Sequence, residues 1–89
     1  MRAIVTVLGK DRVGITANVC ALLAKYDINI LDISQTIVQE YFNMMMIVDA
    51  NEALKSFDVL VTELEQIGDE IGVKIRCQHE DIFNKMHRI

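Results

Sequence analysis

At 89 residues the chain has room for one domain, and 52% hydrophobic residues in so small a volume imply either a rich core or apolar surface that a partner covers. A net charge of −4 disfavours generic nucleic-acid binding, and no apolar run approaches the ~20 residues that span a bilayer. Two isolated cysteines, no C-x-x-C and no signal-peptide pattern over residues 1–8 predict a reduced, cytoplasmic protein.

Residues 2–8 read as the first strand, because Ile4, Val5, Thr6 and Val7 are mostly β-branched and both faces are apolar. The run Gly9-Lys10-Asp11-Arg12-Val13-Gly14 ends it. A helix follows, with Ile15, Val19, Leu22, Leu23 and Tyr26 on one stripe and Asp11 as the predicted cap, a residue or two of latitude allowed. Residues 28–40 are extended. The apolar phase slips between Ile28/Ile30 and Leu31/Ile33/Ile37, which predicts a bulge or bend near Leu31. A turn is expected at Glu40-Tyr41, with a return strand over 42–49 that is apolar on both faces.

Residues 51–71 are predicted as a second helix, capped by Asn51 or Ser56, with Phe57, Leu60, Val61, Leu64, Ile67 and Ile71 buried and Gly72 as the stop. Gly68 weakens its last turns. A final strand over 73–78 alternates cleanly, with Val73, Ile75 and Cys77 inward and Lys74, Arg76 and Gln78 outward. The chain divides into a domain over 1–79 and a short amphipathic tail over 80–89, with Ile82, Phe83, Met86 and Ile89 on one helical face.

The order β-α-β-β-α-β predicts an α+β, ferredoxin-like sandwich: an antiparallel sheet ordered 4-1-3-2 with both helices on one face. Strands one and three should be central and strand four an edge. The uncovered face then shows Val5, Val7, Met45 and Ile47 or their opposite-phase neighbours, a patch that calls for a second copy or the tail as cover.

Gly9-Lys10-Asp11-Arg12-Val13-Gly14-Ile15, then Asn29-Ile30 and Asp32-Ile33-Ser34, then Phe42 and Met44, resemble the ACT domain, over about residues 2–77. The resemblance is nearest to stand-alone ACT proteins and the glycine cleavage repressor group. Valine stands at position 13 where the family usually has proline. The resemblance implies a homodimer or higher homo-oligomer without catalytic residues or cofactor. It also implies a small effector, an amino acid or another small molecule, bound where the first loop of one copy faces the second strand of the other. It assigns the ligand site to Asp11, Arg12, Val13, Gly14, Ile15, Asn29, Ile30, Asp32 and Ser34.

The chemistry of these residues suits such a ligand. Gly14 admits a close approach to backbone, and a helix start offers N–H groups to a carboxylate. Asp11 or Asp32 can take an ammonium group, and Asn29 and Ser34 offer neutral hydrogen bonds. The competing reading is structural: Gly14 permits tight packing and Asp11 is only a cap.

Other functions fit less well. An acylphosphatase of this architecture needs a longer phosphate-binding loop than the one holding Arg12, and no nucleophile–base pair stands out. An RNA-recognition module needs aromatics on the first and third strands, where only Phe42 is found. Cys77 and His79 are too few for a metal, Cys20 reads as packing, and Met44-Met45-Met46 alternate between faces. The main alternative is a regulator that binds a separate enzyme or transcription factor without a small ligand.

Overall fold

The computed structural model describes residues 2–51 and 56–81. The elements are β1 (Arg2–Lys10), α1 (Ile15–Lys25), β2 (Asn29–Val38), β3 (Tyr41–Asp49), α2 (Phe57–Ile71) and β4 (Val73–His79). The four strands form one antiparallel sheet ordered β2-β3-β1-β4, the order the sequence predicts. The tail side chains Ile82, Phe83, Met86 and Ile89 lie outside the described residues.

One face of the sheet carries the core. Ala3, Val5 and Val7 of β1, Phe42, Met44, Met46 and Val48 of β3, and Val73, Ile75 and Cys77 of β4 pack against Ile15, Val19, Leu22, Leu23 and Tyr26 of the first helical segment and Leu60 and Leu64 of α2. Each fully buried side chain of this kind contributes about 1.5–3 kcal/mol. Val5 and Val7 therefore belong to the helix side. The open face is built by their opposite-phase neighbours Ile4, Thr6 and Leu8 together with Met45 and Ile47, which they pair across β1 and β3. It is also more polar than expected, since Asn43, Lys74 and Arg76 share it.

Several local expectations need correction. Gly9 does not end the first strand: it stays in β1, opposite Val73, where a Cβ would meet the valine Cγ1 at 2.8 Å. The hairpin turn is Gln39-Glu40, one residue earlier than expected, because Val38 already pairs with Tyr41. Gln39, the first central residue of the turn, has a positive φ of 60°. The second helix begins at Phe57 rather than near residue 51, and of the two candidate caps Ser56 is the one used, its hydroxyl accepting from the Val59 N–H at 3.4 Å. Asn51 instead donates its backbone N–H to the Asp49 carboxylate at 3.0 Å.

Two expectations about backbone irregularity hold. The register of β2 shifts between Ile30 and Asp32, placing a bulge at Leu31 where the phase slips. Gly72 closes α2 in the left-handed region at φ 77°, its N–H donating to the Gly68 carbonyl.

Candidate functional site

The loop between β1 and α1 is tied at three points. The Asp11 N–H donates to the Glu40 carbonyl of the hairpin turn at 2.9 Å. Arg12 lays its guanidinium beside Gly72, where a methyl group would sit 3.4 Å from the central carbon. That position sets a cation at the C-terminus of α2, whose last turn has no basic residue of its own. Gly14, at φ 90°, is the N-cap of α1 in place of the predicted Asp11. Its carbonyl accepts both the Asn18 backbone N–H at 2.9 Å and the Asn18 side-chain amide at 2.7 Å.

The cap has a chemical consequence. Gly14 offers no side-chain acceptor to the first N–H groups of α1, and the first turn has no acidic residue. The positive end of the helix dipole is thus uncompensated. Lys10, Asp11, Ile37, Gln39 and Glu40 line a depression of about 370 Å³ beside this loop. Val13 is fully exposed, while Ile15 is buried in the core.

The second-strand residues are elsewhere in the chain. β1 and β2 both run antiparallel to β3 and hence parallel to each other. The loop follows the end of β1, whereas Asn29 begins β2 at the opposite end of the sheet. The length of β2 separates them by roughly 30 Å at ~3.3 Å per residue. Asn29 is exposed and lines a separate depression with Ala24, Asp27, Ile28 and Asp49. Ile30 is half-buried against the core. Asp32 and Ser34 are exposed on the open-face side of β2, opposite Ile47 and Met45, and the Asp32 carboxylate accepts the Ile33 N–H at 2.8 Å. One copy therefore gathers residues 11–15 into one place but does not bring Asn29, Ile30, Asp32 or Ser34 to them.

Sequence reasoning missed Gln35. Its side chain lies on the helix side of β2, opposite Met44, and its amide oxygen accepts from the Thr16 hydroxyl at 3.3 Å. This links the first turn of α1 to the middle of β2. A lone glutamine in an extended run gives no local signal for such a contact.

Burial pushes the Cys77 thiol up to about 11, which keeps it protonated at neutral pH. His79 stacks its ring on Phe57 with centroids 4.2 Å apart. No group of three His, Cys, Asp or Glu side chains suited to a metal occurs among the described residues. A hydrogen bond to Glu63, together with burial and the nearby carboxylate charge, raises the Tyr26 hydroxyl pKa above its ordinary value. No helix among the described residues is long and apolar enough to cross a membrane.

The chain is 60% identical over 88 residues to a UPF0237 protein of Bifidobacterium longum, covering 99% of this chain and 98% of that one. It superimposes on the solved ACT domain protein from Streptococcus pneumoniae with a TM-score of 0.82 at 46% identity, covering 93% of each chain. The regulatory subunit of aspartate kinase from Thermus thermophilus shares the fold, with a TM-score of 0.67 at 24% identity over 86% of this chain and 50% of that one. The ACT domain pattern matches residues 2–78, and with this strand order and these relatives the chain belongs to the ACT domain family.

Proposed function

We propose that this chain is a non-catalytic, cytoplasmic regulatory domain. It works as a homodimer and holds a small effector, an amino acid, between the β1–α1 loop of one copy and the start of β2 of the other. The observation that carries this reading is the separation of the two halves of the site along a free edge strand. Among the described residues the outer edge of β2 pairs with no strand, and its helix-side residues Ile33 and Ile37 are exposed. Antiparallel pairing of two β2 edges about a two-fold axis normal to the sheet exchanges the two ends. Asn29 and Ile30 of the partner subunit then come beside residues 11–14, once on each side of the dimer.

Within that arrangement the uncapped start of α1 takes the effector carboxylate. Asp11 is the nearest acidic side chain of the loop for the ammonium group, and Asn29 of the partner subunit supplies a neutral hydrogen bond. Arg12 acts from behind, fixing the loop against α2. The enzyme or transcription factor that responds is a separate protein. The ACT domain match over residues 2–78 favours regulation over catalysis.

Sedimentation and a thermal-shift panel of the twenty amino acids test this. The expected result is a dimer that one or a few amino acids stabilise, by about 2.7 kcal/mol at a hundred times the Kd. Ile33→Lys should give a folded monomer that no longer responds, and Gly14→Ala a dimer that no longer responds. A wild-type monomer at high concentration overturns the reading. A dimer indifferent to every amino acid favours a regulator that binds its protein target without a small ligand.

A further inference from the structure

The open face of the sheet is not uniformly open. Leu8 is 56% exposed, Tyr41 54% and Met45 41%. Yet Ile4, on the same face of the same strand as Leu8, is only 5% exposed, and it does not belong to the core cluster between sheet and helices. Its partner Ile47 is half-buried, as is Gln78 on the other side. Closure is thus confined to the end of the face where β1 begins and β4 ends.

The C-terminal segment leaves β4 at that same end. Arg2 Nε and Glu80 Oε2 pair at 2.9 Å, fixing the exit beside the first residue of β1. Glu80 and Asp81 already have helical backbone. Eight residues remain, and Ile82, Phe83, Met86 and Ile89 share one helical face. As a continued helix they would span about 12 Å. Gln78, Ile4 and Ile47 lie on three neighbouring strands spaced ~4.8 Å, so the row is ~10 Å wide. Charge suits the same geometry, with Glu80 and Asp81 at the start and Lys85, His87 and Arg88 at the end.

We infer that residues 82–89 of the chain dock on the open face of their own sheet, over Ile4 and Ile47. This surface is distinct from the β2 edge and does not depend on the effector reading. It leaves Leu8, Met45 and Tyr41 uncovered.

The test is methyl NMR on the full-length protein, with isotope filtering in mixed labelled and unlabelled samples. Intramolecular NOEs from the Phe83 ring to the Ile4 and Ile47 δ1 methyls are expected. Phe83→Ser should shift those two methyls while sparing the Leu8 methyls, and should speed amide exchange at Ile4 at least tenfold. NOEs found only between copies, or an Ile4 methyl indifferent to Phe83→Ser, overturn the inference. The wild-type NOEs decide it even if the variant folds poorly.

Discussion

Gly68 on α2 faces Val73 at the start of β4 so closely that a Cβ on Gly68 would lie 2.7 Å from the Val73 carbonyl oxygen and 3.1 Å from Ile75 Cγ1. A helical glycine ordinarily costs about 1 kcal/mol relative to alanine. Here its missing side chain is what lets α2 lie on the strand that follows it.

Gly68→Ala should therefore destabilise the protein despite its better helix propensity. Overpacking against backbone costs about 1–3 kcal/mol. A lower urea midpoint with an unchanged m-value is the expected result, and a raised midpoint contradicts the close approach.

Asn18→Ala removes a 2.7 Å side-chain bond to the Gly14 carbonyl but leaves the backbone bond from the same residue. A loss of about 0.5–1.5 kcal/mol is expected. Gly14→Ala places a β-carbon at φ 90° and should cost more, about 1–2 kcal/mol. Chemical denaturation of the two variants ranks them, and equal losses would speak against strain at position 14.

Gln39→Gly relieves a positive φ at the first central position of the hairpin turn. The gain is at most about 1 kcal/mol, because glycine also loosens the unfolded chain. Asp27, the other non-glycine residue with positive φ (56°), should gain less from the same change, since aspartate tolerates this region better than glutamine. Melting curves of the two variants test the difference.

Cys77 sets a pH dependence. Its thiol rises from an ordinary value of 9.0 to about 11 in the fold. The unfolded chain loses this proton first, so the contribution to stability is constant below pH 9 and falls between pH 9 and 11, by on the order of 2–3 kcal/mol. Cys77→Ala should lack that part of the alkaline decline. In a Cys20→Ala background, thiolate reagents at pH 8 should react with Cys77 about a hundredfold more slowly in the native protein than in urea. Equal rates would place the thiol in solvent.

Much of the architecture was legible because the core obeys simple periods. The α1 stripe Ile15, Val19, Leu22, Leu23 and the alternation Val73, Ile75, Cys77 all point into one core. The phase slip at Leu31 marked a real bulge because a strand keeps its buried set on one face only by inserting a residue.

The errors are long-range in origin. Asp11 is a good cap by type, but a backbone bond to Glu40, far along the chain, holds it in the loop, and the helix starts three residues later with Gly14 as its cap. Gly9 punctuates locally, yet β4 needs a residue without a side chain there. Gln39 carries no turn signal. The wide spacing between loop 11–14 and Asn29 follows from β1 and β2 running parallel, which the strand order contains and the motif spacing hides.

The bulge has one more consequence. Ile30 pairs with Val48 and Asp32 with Ile47, so Leu31 is surplus to the ladder. A chain lacking Leu31 would close into a regular strand with every later side chain still on its proper side. Loss of a residue between Ile33 and Val38 would turn the residues on one side of the gap inside out. Leu31 is the position where β2 tolerates a change in length.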